Sequence, residues 1–169
     1  MLLRYLWKTF RVVTFIILCI LGVKTFIGEA GKVNGVSMVP TYQDNETFFV
    51  QKYTLLFTAP VRQQVVQCKN PLTGTLLIKR IIGIPGDTVH IRNNTISITA
   101  QNGTEYALVE PYLAPNSLTQ MWNNESGDII LERDEYFVLG DNRRESIDSR
   151  HYGTILRKDI LGAVSSAVR

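Results

Sequence analysis

Leu76-Leu77-Ile78-Lys79-Arg80-Ile81-Ile82-Gly83 is an apolar run interrupted by two adjacent cations. Its aliphatic content, with the turn formers Gly74 and Pro85-Gly86 on either side, predicts a strand over residues 75–84. Successive side chains of a strand point to opposite faces, so Lys79 falls between Leu77 and Ile81, and Arg80 between Ile78 and Ile82. Each cation is therefore set among aliphatic neighbours. Enclosing a lysine this way penalises its charged form and lowers its pKa, and a neutral amine can take a proton from a hydroxyl. An arginine keeps its charge and requires an acidic partner. Periodicity does not say which cation is the base; chemistry favours Lys79. The plainer alternative is a strand edge from which both side chains snorkel to water.

Outward from this run the chain reads as short strands separated by turn residues. Strands are expected over 45–53, 64–68, 129–131, 135–139 and 160–168, and over 88–92 and 95–99 as a hairpin around Asn93-Asn94. Gly127-Asp128 and Gly140-Asp141 mark further turns. Residues 101–124 are polar and mixed, and read as a long loop or small insertion. No repeat and no linker divides the body. The fold class that follows is mostly β, a single barrel-like domain. The sequons at Asn45, Asn93, Asn102 and Asn124 read as turn and loop asparagines, and Cys19 and Cys68 are too differently placed to form an intradomain disulfide.

The N-terminus is of another kind. Residues 12–28 (VVTFIILCILGVKTFIG) hold one charge, Lys24, placed to snorkel outward, with Trp7 suited to the opposite interface. Arg4, Lys8, Arg11 and Lys24 are four of the 18 basic residues, and none of the 15 acids lies before Glu29. The body is thus nearly neutral, and the basicity belongs to the N-terminus, which argues against a nucleic-acid partner. Basic residues ahead of an apolar span place the N-terminus in the cytoplasm and the remainder outside. Two readings of the segment are open: a transmembrane anchor, or a cleaved secretory signal ending at Gly28-Glu29-Ala30. The first gives residues 1–29 as cytoplasmic N-terminus and anchor, and 30–169 as an extracytoplasmic β catalytic domain.

Two more segments carry polar chemistry. Gly35-Val36-Ser37-Met38-Val39-Pro40-Thr41 sets a serine between a glycine and a proline just beyond the apolar span, where a constrained turn can present its hydroxyl. Gly140-Asp141-Asn142-Arg143-Arg144-Glu145-Ser146-Ile147-Asp148-Ser149-Arg150 packs charges, amides and hydroxyls into one loop after an apolar strand, suited to hydrogen-bonding around a site. An ordinary turn serine and a solvated surface loop are the structural alternatives. His90 and His151 lack metal-ligand spacing and read as structural or surface residues, so no metal or organic cofactor is expected.

These segments, in this order behind an apolar N-terminus, resemble the bacterial type I signal peptidases, in their Gram-positive form. The likeness rests on GVSMVPT, IKRIIGIPGD and LGDNRRESIDSRHYG, with VEPYL at residues 109–113. The resemblance implies a membrane-bound Ser/Lys endopeptidase of the cell membrane that removes signal peptides from precursor proteins, cutting after small residues. It implies Ser37 as nucleophile, Lys79 as general base, and Ser146 hydrogen-bonding the Lys79 amine. Asp148 and Arg150 should pair to hold the loop, and Asp141 should partner Arg80. Met38, Leu77 and Ile78 are implied as substrate-pocket walls. The Ser37 N–H is implied as one oxyanion donor; the second is missing a side chain, because Gly35 stands where many Gram-negative members carry serine.

Other readings use the same residues differently. A Ser/His enzyme would depend on His90 or His151. A specialised pilin or conjugation-factor peptidase, or a mitochondrial inner-membrane relative, would keep the Ser/Lys chemistry. An autoproteolytic repressor would need a DNA-binding domain where residues 1–28 are apolar. A membrane-tethered β module could bind exported chains without cutting them.

Overall fold

The computed structural model describes residues 2–26, 28–121 and 128–166. The sequon at Asn124, the turn glycine Gly127, the last two residues of the strand expected over 160–168 and the side chain of Lys24 lie outside what is described.

Helix α1, Leu2–Phe26, is 25 residues long, about 37 Å at 1.5 Å per residue and enough for a hydrocarbon core of about 30 Å. Its apolar window runs over Arg4–Gly22, and the side chains of residues 4–21 are all exposed. The window lies closer to the N-terminus than the span expected over 12–28. The strand that follows, β1, Gly28–Lys32, pairs antiparallel with β2, Thr47–Gln51, setting Gly28 opposite Gln51 and Ala30 opposite Phe49. Sheet pairing claims Gly28, the last residue that the apolar pattern assigned to the span. It also ties Ala30, the residue at the end of the candidate secretory cleavage site, into the sheet by its pairing with Phe49, although Ala30 stays exposed.

β1 and β2 begin a seven-stranded antiparallel sheet completed by β3 (Val65–Lys69), β4 (Leu76–Gly83), β9 (Glu135–Leu139), β10 (Ile155–Leu156) and β11 (Ile160–Ser166), in the order β1-β2-β11-β3-β4-β9-β10. This curled half-barrel is the mostly β, barrel-like body expected. A second sheet, in the order β7-β6-β5-β8, is built from β5 (Thr88–Arg92), β6 (Thr95–Thr99), β7 (Glu105–Ala107) and β8 (Asp128–Ile130). The expected β5–β6 hairpin turns on Asn93 and Asn94, whose φ values of 49° and 62° suit the mirror-image turns that match strand twist. Short helices α2 (Thr54–Phe57) and α3 (Ser149–Tyr152) fill connections.

The alternation read in the central run divides the core. One face of the large sheet buries Val66, Cys68, Ile81 and Val138 against Leu55, Ile155 and Ile160. The other buries Ile82 and Leu139 against Val89, Ile91, Ile96 and Ile98 of the second sheet. Gly83 lets the two sheets approach: a Cβ there would lie 2.5 Å from Leu131 Cδ1 and 2.6 Å from Val89 Cγ2. Strands β1, β7 and β10 were not expected. Gly28–Lys32 (GEAGK) and Glu105–Ala107 (EYA) are too short and too polar to alternate, and they are held by edge pairing alone.

Candidate active site

Between β1 and β2 the chain makes a tight excursion that carries Ser37. Tyr42 N–H donates to the Met38 carbonyl at 3.0 Å, Val39 N–H to Val36 at 3.2 Å, and Gly35 N–H to Asp44 Oδ1 at 2.7 Å. Met38 is fully buried among Val33, Tyr42, Phe48 and Val50 and pins the turn to the sheet. From outside, the loop after β9 clamps it: Asn142 N–H donates to the Ser37 carbonyl at 3.0 Å and its Nδ2 to the Val36 carbonyl at 3.2 Å. The backbone that carries the Ser37 hydroxyl is thus fixed on both sides.

Lys79, on β4, is only 2 % exposed, and its Nζ donates to Ser37 Oγ at 2.9 Å. Burial is the largest influence on the amine and pushes its pKa below the ordinary lysine value; Asp148 opposes this most strongly. The same separation serves proton transfer in the other direction once the amine is neutral. Histidine does not share this geometry. His90 bonds Asp128 and Thr99 through its two ring nitrogens, and His151 closes the capping box of α3.

Arg80, on the opposite face, has the acidic partner its charge demands: its Nε and Nη2 donate to Asp141 at 2.8 and 2.5 Å. Thr41 hydrogen-bonds both members of the pair, and the Arg80 guanidinium lies 3.8 Å from the Tyr112 ring centroid. Asp148 is fully buried and accepts from Gly140 N–H and from Arg150 Nε and Nη2. Arg150 also donates to the carbonyls of Arg143, Ser146 and Gln120, which knits the loop to the segment before residue 122.

Ser146 departs from its expected role. Its hydroxyl is buried with no hydrogen-bond partner among the described residues, and the expected bond to Lys79 is not made. The Lys79 amine reaches Ser37 instead, while Ser146 packs against Gly140. Sequence reasoning also gave no role to another buried cation, Arg143. Arg143 bonds Glu110, Thr119 and the Gly140 carbonyl, and Glu110 in turn accepts from the Tyr112 hydroxyl. The signal was present as Glu110-Pro111-Tyr112, but nothing local says that its carboxylate meets an arginine 33 positions later.

A cleft of about 340 Å³ opens beside Ser37 and Lys79, and Met38, Leu77 and Ile78 all line it with Phe48 and Gln67. Gly140 lies close behind the Ser37 backbone. A Cβ on Gly140 would come within 2.5 Å of the Ser37 carbonyl and still nearer the Ser146 hydroxyl. Gly140→Ala should therefore shift the turn that carries Ser37 and lower kcat/KM on a cleavable peptide by about 100-fold, the scale that a misplacement of about 1 Å can reach. Unchanged kcat/KM would show that the close approach has no part in positioning Ser37.

The sequence matches the family described as signal peptidase, peptidase S26, over residues 6–168. It is 37% identical over 145 residues to signal peptidase I V of Bacillus subtilis, covering 80% of this chain and 83% of that protein. It is 32% identical over 150 residues to signal peptidase I of Leptolyngbya laminosa, covering 84% of this chain and 69% of that protein. The fold resembles the crystal structure of a signal peptidase I from Enterococcus faecalis with a TM-score of 0.52 and 27% identity, over 64% of this chain and 98% of the other. A match that runs through nearly the whole length, from within α1 to beyond β11, leaves one assignment: the chain belongs to the signal peptidase family, peptidase S26.

Proposed function

We propose that Ser37 is the nucleophile and Lys79 the general base with which this serine endopeptidase, a signal peptidase, removes N-terminal signal peptides from precursor proteins. The observation that carries the assignment is the 2.9 Å contact between Lys79 Nζ and Ser37 Oγ at a site where the amine is buried. The neutral amine takes the hydroxyl proton as Ser37 attacks the carbonyl before the scissile bond, then returns it to the leaving amine. Water, activated by the same amine, hydrolyses the acyl-enzyme. The Ser37 N–H donates to the developing oxyanion. Gly35 brings no side chain to that oxyanion, and its N–H is engaged by Asp44.

The precursor lies extended in the cleft, with its small residues at the first and third positions before the cut received by Met38, Leu77 and Ile78. The Arg80–Asp141 and Arg150–Asp148 pairs hold the loop that clamps Ser37. Incubating the protein in detergent with a secretory precursor, and sequencing the new N-terminus, tests this reading. An intact precursor, or cleavage away from a small-residue site, would overturn it.

The orientation in the membrane belongs to the same proposal. Helix α1 crosses the bilayer with its basic end in the cytoplasm, and residues 30–169 form the extracytoplasmic catalytic domain. The register supports an anchor that stays in place, since β1 begins two residues after α1 and remains paired through Ala30. Carbonate extraction should leave the full-length protein in the membrane pellet. A shortened protein in the supernatant would rule out the anchor.

A further inference from the structure

Gln67 lies on β3 directly opposite Ile78 of β4 and opposite Gly162 of β11. It is 7 % exposed, it lines the cleft that holds Ser37 and Lys79, and its Oε1 is buried with no hydrogen-bond partner among the described residues. The two other such atoms among the described residues do not share this position. Ser146 packs against Gly140 at the back of the site, and the Tyr152 hydroxyl lies in the apolar cluster under β3 and β4. A buried amide end without a partner is costly unless something that enters the cleft completes it.

We propose that Gln67 is a specificity-determining residue whose amide receives a small hydroxyl side chain, serine or threonine, at the third position before the cut. The inference rests on the signal-peptidase reading of the same cleft. Ser37 attacks the carbonyl of the first residue, which places that residue's side chain beside Ser37 and Lys79. An extended peptide turns its first and third side chains to the same side, about 6.8 Å apart, and its second to the other. With the first beside Ser37 and Lys79, the next side chain facing the cleft wall that carries Gln67 is the third. The third side chain is therefore the one that reaches it. Ile78 and Met38 supply the apolar remainder of this wall, and they accept the threonine methyl as readily as a valine methyl. The hydroxyl alone distinguishes the two. Because a hydroxyl both donates and accepts, it suits either end of the amide, whichever faces the cleft.

The test uses the full-length protein in detergent and three peptides that differ only at the third position before the cut, carrying alanine, valine or threonine. The unaltered enzyme should cleave the threonine peptide with a kcat/KM about 10-fold above that of the valine peptide. In Gln67→Leu the ratio should fall to one or below. Gln67→Met, close in length, serves as the second variant if the leucine form does not accumulate folded. Equal rates on the valine and threonine peptides by the unaltered enzyme would overturn the proposal. So would a ratio that survives in both variants, or a Gln67→Leu loss equal for all three peptides, which marks a main-chain contact instead. If the unaltered enzyme cleaves the alanine peptide and fails only to discriminate, the signal-peptidase reading stands without this inference. Cleavage of none of the three overturns both.

Discussion

Ser37→Ala and Lys79→Ala should each reduce precursor processing by about 10⁴-fold or more, the scale on which removing one member of a nucleophile–base pair acts. Both proteins should remain folded, because neither residue carries the sheet. Lys79→Arg should be as inactive as Lys79→Ala, since a guanidinium cannot give up its proton. Processing in the unaltered enzyme should rise with pH as the Lys79 amine deprotonates, at a pH below the ordinary lysine range because burial lowers its pKa. Retained cleavage by Lys79→Ala, or a pH profile that ignores position 79, would remove the lysine from the mechanism.

The same shift has a signed effect on stability. In the unfolded chain Lys79 holds its proton up to about pH 10.4, whereas the folded amine has lost it earlier. The unfolded state therefore binds more protons between the two values, and folding stability rises with pH across that window. Lys79→Met, which keeps the volume and removes the titration, should melt higher than the unaltered protein at neutral pH. The difference should be largest below the folded pKa and close toward the unfolded one. A gap that widens with rising pH would contradict the assignment of burial as the dominant influence.

Asp148→Ala should be the most damaging single change to the fold near the site. It removes the partner of Arg150, whose Nε and Nη2 both donate to this carboxylate, and strands a guanidinium that is 8 % exposed. Losing one member of a buried ion pair costs about 3–5 kcal/mol, so thermal unfolding should move down by about 10 °C or more. Exposed pairs offer the contrast. Asp128→Asn, which breaks contacts to Arg92 on the surface, should leave the melt nearly where it is. Asp148→Asn preserves more of the geometry and adds a kinetic readout. Asp148 is the strongest influence holding the Lys79 pKa up, so without its charge the pH–activity curve should shift to lower pH. A curve that stays in place would mean that Asp148 acts on Lys79 only through structure.

Much of the fold was legible where local rules decide it. Residues 95–99 and 135–139 coincide with strands β6 and β9, and the Asn93-Asn94 turn joins β5 to β6 as expected, because alternation and turn chemistry are properties of neighbours. The edge strands were not legible. Gly28–Lys32 has no pattern of its own, and its strand exists because β2 offers an unpaired edge.

The sequence by itself determined which neighbours Lys79 would have: Leu77, Lys79 and Ile81 must share a face once the strand forms, whereas packing decided that this face is buried and not a snorkelling edge. It also determined that Arg80 would need an acid. Which residues meet them was a matter of tertiary structure. The Lys79 amine lies within 2.9 Å of a hydroxyl 42 positions away, Arg80 meets a carboxylate 61 positions away, and the Gln67 Oε1 finds no hydrogen-bond partner among the described residues. Contacts of that separation depend on how the curled sheet brings the 35–41 turn and the loop after β9 together. A sequence fixes the direction in which each side chain leaves the backbone, but only packing decides what stands there to receive it.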